Sequence, residues 1–277
     1  MRTRVRVLGG SDMEQAMGLL TANPIENLFV LARVSAHGLD RLRLGCDVYG
    51  YEVDGELVAL CHAGSNIVPV GVNAEIAEQF AHRLGGIRAS SSIMGRADEV
   101  RLMWEALIRQ GGSWRRSREI RAHQPLMLID GAPLIAGDPR VEVVTMRHVD
   151  AYYEAAVAMY TEEVGTSPVE PSGSYRRYVV DLIRRQRAFG IIEDDRVLFK
   201  ADVGAAFGPY CQIQGVWLAE ELRGQGVSKP AMAAVVDLVR PTFPWQSLYV
   251  NDFNTRARRL YEAVGFRTIG EYATVLY

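Results

Sequence analysis

No apolar run in this chain of 277 residues approaches the roughly 18 needed to span a bilayer as a helix. Arg2 and Arg4 near the amino terminus are not followed by the apolar core of a signal peptide. Neither export nor anchoring is indicated, and no membrane partner is expected. Cysteine is scarce: Cys46, Cys61 and Cys211 form an odd set without a Cys-x-x-Cys pair, which argues against a disulfide framework and a zinc knuckle. A reducing cytoplasm is the expected compartment. His62, His82 and His148 do not stand at ligand spacing, so no metal site is expected. Charge of one sign is also lacking. The 31 basic and 33 acidic residues leave a formal net charge of −2, too little to gather a polyanion, and nucleic acid is not an expected partner.

What is present is ordinary globular composition, with 48% hydrophobic and 23% charged residues. The length predicts two domains, each able to bury a core. In the first half, helical spacing covers Ser11–Thr21, Asn23-Pro24 interrupts it, and a second apolar stretch follows around Leu28–Val34. Val48–Ala63 alternates around Asp54-Gly55 and reads as a hairpin. A strand at Asn66–Val72 is followed by a helix capped by Asn73. A short strand Ser92–Gly95, a helix Arg96–Ile108 and a strand His123–Ile129 come next. Asp130–Pro139, with Gly131, Pro133, Gly137 and Asp138, is the best linker, which places the domains at 1–137 and 138–277.

The second half repeats the plan of helices followed by a hairpin at a separation of roughly 140 residues. A strand Val141–Met146 precedes a helix Val149–Glu163, a loop Gly165–Gly173 and a helix Ser174–Gln186. Strands Ala188–Ile192 and Val197–Ala205 join through Asp194-Asp195, and Cys211–Leu218 is the next strand. Five residues later comes Arg223-Gly224-Gln225-Gly226-Val227-Ser228, and then a helix whose apolar face carries Ala231, Ala234, Val235 and Leu238. Glycines allow close approach of main-chain N–H groups, and a helix start favours negative charge, so this turn suits a diphosphate. A strand Ser247–Val250, then Asn254-Thr255-Arg256-Ala257-Arg258-Arg259-Leu260-Tyr261 and Gly265-Phe266 follow, closing with two short strands.

These two motifs in this order resemble the coenzyme A-binding region of the GNAT acetyltransferase superfamily. Arg223, Gly226 and Ser228 match Arg/Gln-x-x-Gly-x-Gly/Ala, with serine in place of the last small residue. Asn254, Ala257, Leu260, Tyr261, Gly265 and Phe266 match Asn-x-x-Ala-x-x-Leu-Tyr-x-x-x-Gly-Phe. The resemblance implies a mixed α/β (α+β) fold of two GNAT-like domains, each a mostly antiparallel central sheet flanked by helices. It implies that the second domain binds acetyl-CoA through Val216, Trp217, Leu218, Arg223, Gly224, Gln225, Gly226, Val227, Ser228, Asn251, Asn254 and Tyr261. The first domain, without the glycine turn, is similar to a degenerate GNAT-like half and is not expected to bind cofactor.

The implied reaction is acetyl transfer to an amine of unspecified identity. Tyr261 would protonate the departing thiolate, and a main-chain N–H near Val216 would stabilise the carbonyl oxygen. The strand before the turn carries Gln212 and Gln214 where family members often have a glutamate, so the base is sought among Glu162, Glu163, Asp202 and the carboxylate of Tyr277. Two other readings stand beside this one: a catalytically silent acyl-CoA sensor and a tRNA-dependent aminoacyl transferase. Neither charge nor spacing fixes the oligomeric state, a homodimer being one option.

Overall fold

The computed structural model describes residues 2–277. In chain order the first half holds β1 (Thr3–Val7), α1 (Met13–Thr21), α2 (Leu28–His37), α3 (Arg41–Leu44), β2 (Asp47–Val53), β3 (Glu56–Ala63) and β4 (Asn66–Val70). It continues with α4 (Ala74–Leu84), β5 (Ser92–Arg96), α5 (Ala97–Gln110) and β6 (Glu119–Ile129). The second half holds β7 (Glu142–Val143), α6 (Val149–Val164), α7 (Ser174–Arg184), β8 (Ala188–Glu193), β9 (Arg196–Phe207) and β10 (Tyr210–Leu218). It ends with α8 (Ser228–Val239), β11 (Trp245–Tyr249), α9 (Thr255–Val264) and β12 (Arg267–Leu276). No helix among the described residues is long and apolar enough to cross a membrane.

Two compact units result. Among the described residues, one comprises 2–126, 249–253 and 268–277, the other 127–248 and 254–267. The division differs from a cut at residue 137 in two respects. The segment read as a linker is packed onto the second unit: Leu134 N–H donates to the Val264 carbonyl, Asp138 N–H donates to that of Pro230, and Gly137 lies against Ala234. Its glycines and prolines therefore serve close packing rather than freedom. The chain end, in turn, forms one long strand instead of two short ones, and Thr268–Tyr277 belongs to the first unit.

In the first unit the strands run in the order β1-β2-β3-β4-β5-β12, antiparallel except for the parallel pair β4 and β5. Asp54, at φ 51°, and Gly55 make the expected hairpin turn between β2 and β3. Asn73 caps α4 by accepting from the Ile76 N–H at 2.9 Å. Ile76, Ala77, Phe80 and Ala81 of α4 and Val100, Met103, Ala106 and Leu107 of α5 bury against the sheet, with Trp114 closing the cluster. β1 lies outside the expected elements, because Thr-Arg-Val-Arg-Val is half exposed and carries its pattern over only five residues.

One buried carboxylate in this core is sensitive to pH. Glu99, in the first turn of α5, is 7% exposed and accepts the Gly71 N–H at 2.9 Å. Burial pushes its carboxyl up to about 7, with the Gly71 and Val72 amides and Arg96 opposing. The folded chain thus holds this proton more tightly than the unfolded chain. The stability this confers is complete below the unfolded carboxylate value and is lost as pH rises through 7. In urea titrations, wild type is expected to lose on the order of 3 kcal/mol relative to Glu99→Gln between pH 4 and pH 8.5. Parallel pH profiles for the two proteins would show that Glu99 titrates alike in the folded and the unfolded chain and carries no shift.

The second unit follows the same plan, in the order β7-β8-β9-β10-β11, antiparallel except for the parallel pair β10 and β11. Only Glu142–Val143 of the expected strand Val141–Met146 pairs, because Met146–His148 already turn into α6. Tyr152, Ala155 and Ala156 of α6 and Val179, Leu182 and Ile183 of α7 bury against Ala188 and Val197. α8 is the most apolar helix of this unit, with Ala231 to Val236 all buried.

Candidate active site

β10 is paired on one edge along its length and on the other only at its start. It meets β11 over Tyr210–Gln212 against Trp245–Ser247, and beyond Gln212 that edge has no strand partner. On the β9 side Gln214 faces Asp202 and Trp217 faces Lys200, so Gly215 and Val216 share one position across the ladder. This is a β-bulge, which re-aims the main chain at the point where the strands part. Gly215 adopts φ 60°, and a Cβ there would lie 2.7 Å from Asp202 Oδ2 and 2.9 Å from Lys200 Nζ. Glycine is required at this position by backbone and by space alike.

The chain then leaves β10 through the turn Ala219–Val227 into α8. Gly224 and Gly226 take φ 83° and 81°, and neither has a heavy atom within 4 Å of where a Cβ would stand. The ground before them is open. The N–H groups of Arg223 and Gln225 close turns on Glu220 and Leu222, whereas those of Gly224, Gly226, Val227, Ser228 and Lys229 have no acceptor among the described contacts. α8 begins without a side-chain cap, and Pro230 in its first turn has no N–H to satisfy. A row of donors at a helix start with no internal anion is what a diphosphate requires.

A cavity of about 250 Å³ opens beside this turn. Val216, Trp217 and Leu218 of β10 line one side and Asn254, Arg256, Ala257, Leu260 and Tyr261 of the α9 segment line the other, with Arg223, Ser228, Glu162 and Phe199 completing the wall. The two motifs read from the sequence thus meet in space. The intervening Gly224, Gln225, Gly226 and Val227 form the turn itself.

The side chains are already engaged in instructive ways. Arg223 donates through Nε to the Leu218 carbonyl at 3.0 Å and through Nη2 to both oxygens of Glu162 at 3.0 and 2.8 Å. Trp217 Nε1 also donates to Glu162, at 3.1 Å. Glu162 therefore ties the turn to α6 and β10, and Trp217 packs partly on the α6–α7 core. Asn254 caps α9, its Oδ1 accepting from the Ala257 N–H at 3.1 Å, which leaves its NH2 for the cavity. The Tyr261 ring meets Phe266 edge-on at 5.9 Å, and burial, with Glu163 adding, raises its phenol well above the ordinary value.

Asn251 and Tyr277 are not brought to this cavity. Asn251 belongs to the first unit, where its Oδ1 accepts from Gln124 Nε2 at 2.8 Å. Tyr277 ends β12 in the same unit: its N–H donates to the Ser91 carbonyl, its ring meets Trp114 edge-on at 5.7 Å, and Arg88 stacks over it. Gln212 is buried, and Gln214 Nε2 donates to the Tyr178 hydroxyl at 2.5 Å. Asp202 is buried in an ion pair with Lys200, which is not among the residues the sequence points to as site residues. The available signal was two charges two residues apart in the otherwise apolar Phe199–Val203.

The first unit builds a comparable parting of parallel strands, since β4 meets β5 only at Asn66–Ile67 against Ser92–Ile93. There the turn into the helix is only Gly71, Val72 and Asn73. Glu99 already accepts from Gly71, and Asn73 caps α4. The chain's own oxygens occupy the donors that the second unit leaves open.

Residues 149–266 match the family model for the acetyltransferase (GNAT) family, and residues 46–152 match that of a domain of unknown function, DUF4081. No curated protein sequence matches the chain. Among solved structures the chain is similar to a GNAT-family acetyltransferase from Colwellia psychrerythraea, at 13% identity and TM-score 0.62, covering 99% of both chains. It is also similar to a GCN5-related N-acetyltransferase from Sphaerobacter thermophilus, at 17% identity and TM-score 0.64, covering 99% of this chain and 94% of that one. A tandem GNAT protein from the clavulanic acid biosynthesis pathway aligns at 13% identity and TM-score 0.56, covering 99% and 98%. These likenesses establish the fold. The family model over residues 149–266 and the two sequence motifs joined in one cavity thus fall on the same part of the chain: the second unit carries the match to the acetyltransferase (GNAT) family, and the first half carries the match to DUF4081.

Proposed function

We propose that the second unit binds acetyl-CoA and transfers its acetyl group to an amine by direct attack. The observation that carries this reading is the unpartnered edge of β10 leading into a glycine turn whose amides have no internal acceptor. When bound, acetyl-CoA supplies an activated acyl thioester. The amides of Gly224, Gly226, Val227, Ser228 and Lys229 receive the diphosphate, and Arg256, on the first turn of α9, adds a cation to the same cavity. Val216, unpaired in the ladder, offers its N–H to the acyl oxygen, where negative charge grows as the amine attacks. Tyr261 keeps its proton throughout the neutral range and donates it to the departing thiolate. Glu162, held by Arg223 and Trp217, orders the turn rather than receiving the amine's proton, which leaves to solvent water as Tyr261 regains one from the same source.

Calorimetric titration with acetyl-CoA and CoA is expected to give one site per chain. Thiol release over a panel of amines should then fall by about two orders of magnitude in Tyr261→Phe with acetyl-CoA affinity unchanged. Binding without release for any amine favours the acyl-CoA sensor, for which both engaged oxygens of Glu162 and the glutamines of β10 speak. No binding by wild type removes the acetyltransferase reading.

A further inference from the structure

The bulge of β10 rests on a buried charge. Lys200 is fully buried, and its Nζ lies 2.6 Å from Asp202 Oδ2 and 2.9 Å from the Gly215 carbonyl oxygen. Asp202 is 4% exposed and accepts through Oδ1 from the Tyr152 hydroxyl at 2.6 Å; that hydroxyl also lies 3.1 Å from the Ala201 carbonyl. The ammonium stands 5.2 Å from the Tyr152 ring centre. A buried ion pair of this kind is a weak source of stability, since the desolvation of both charges offsets their attraction. Its geometry has a more specific consequence.

The carbonyl of one residue and the N–H of the next lie in one planar trans peptide and point in opposite directions. A cation that fixes the Gly215 carbonyl therefore also fixes the direction of the Val216 N–H, away from Lys200. Drawing electron density toward the carbonyl oxygen also makes that N–H a stronger donor. Neither Gly215 nor Val216 has a partner of its own in the β9 ladder, and of the two it is Val216 that lines the cavity. The absence of a side chain at Gly215 is what admits the Lys200 and Asp202 head groups to this spot.

We propose that Lys200, held by Asp202 and Tyr152, is a positioning residue that clamps the Gly215 carbonyl and so aims and polarises the Val216 N–H toward the acyl oxygen of the thioester. This rests on the acetyl-CoA reading above. It places no part of the pair in contact with substrate.

The test is isotope-edited infrared spectroscopy of acetyl-CoA labelled with carbon-13 at the carbonyl, bound to the full chain, together with calorimetry of unlabelled CoA. In wild type the carbonyl stretch is expected below that of the free thioester. Lys200→Met should lose most of that downshift while binding CoA within about threefold of wild type, because the diphosphate turn is untouched. Removing one member of a buried pair endangers folding, so the charge-neutral double variant Lys200→Met with Asp202→Asn, which leaves Tyr152 an acceptor, is read by the same criteria. A downshift retained in either folded variant overturns the clamp while leaving the acetyl-CoA reading intact. A wild-type carbonyl that binds without a downshift overturns it as well. Failure of wild type to bind acetyl-CoA at all removes both.

Discussion

Gly226→Glu is expected to weaken binding of CoA and acetyl-CoA by about a hundredfold or more while the protein stays folded. Both halves of this expectation follow from one observation. A Cβ at Gly226 meets no heavy atom within 4 Å, so the new side chain displaces nothing in the ligand-free protein. The residue's φ of 81° does strain any side-chain-bearing residue, at a cost of roughly 1–2 kcal/mol. That open space is where the phosphates would be received, and the carboxylate both fills it and repels them. Gly226→Ala carries the same backbone strain without the charge and should lose far less affinity. Calorimetry of the two variants beside wild type, with thermal melts as the folding control, separates the effects. A glutamate variant that binds within about threefold of wild type would mean that the turn is not the phosphate cradle.

Ending the chain after Arg267 is expected to unfold the first unit. β12 pairs with β5 from Tyr272 to Leu276, and Tyr272, Ala273, Thr274 and Val275 are buried. The Tyr272 hydroxyl donates to the Glu26 carbonyl at 2.5 Å, and the Arg118 N–H donates to that of Leu276. Tyr277 covers Trp114, itself 1% exposed and donating through Nε1 to Gly85. Each large apolar side chain removed from such a core costs roughly 1.5–3 kcal/mol, against a total stability of about 5–15 kcal/mol for a domain. Losing several of them together with a ladder strand exceeds that margin. Limited proteolysis should then cut the shortened chain rapidly within residues 2–126, where the full chain resists. An unchanged cleavage pattern would show that β12 is dispensable to the unit it joins.

The same strand shows why local pattern does not fix long-range pairing. Arg267–Leu276 is legible as extended structure from its alternation, but nothing in its ten residues names the strand it pairs with. Its partner β5 lies more than a hundred residues away, and strand pairing is a matter of complementary surfaces at long range. The run Asp130–Pro139 was misleading for a related reason. Glycine and proline mark irregular backbone, which a linker and a tightly packed crossing share. Only the contacts of Gly137 with Ala234 and of Leu134 with Val264 distinguish the two.

Glu162 and Lys200 show the two ways a side chain's part escapes the sequence. Glu162 was among the candidates as a carboxylate near the end of a helix, and its engagement by Arg223 and Trp217 depends on residues that lie 61 and 55 positions further along the chain. Lys200 reads as one more basic residue until the Gly215 carbonyl is found beside it. Tyr277 and Asn251 belong to the candidate site only by what the family resemblance implies; Asn251 stands three residues before the Asn254 motif, yet it lies in the other unit.

What the sequence determined by itself is local. Hairpin turns at Asp54-Gly55 and Asp194-Asp195, the Asn73 and Asn254 caps, the helix faces and the glycine turn from Arg223 to Ser228 all follow from conformational preference and spacing within a few residues. Their order along the chain was enough to indicate the acetyltransferase (GNAT) match over residues 149–266. The tertiary structure decided the rest: the parting of β10 from β11, the bulge at Gly215 over a buried ion pair, the assignment of β12 to the first unit, and the closing of that unit's own strand gap by Glu99. Each of these depends on groups far apart in the chain meeting with the right shape and charge, and short-range patterns carry no information about which distant groups will meet.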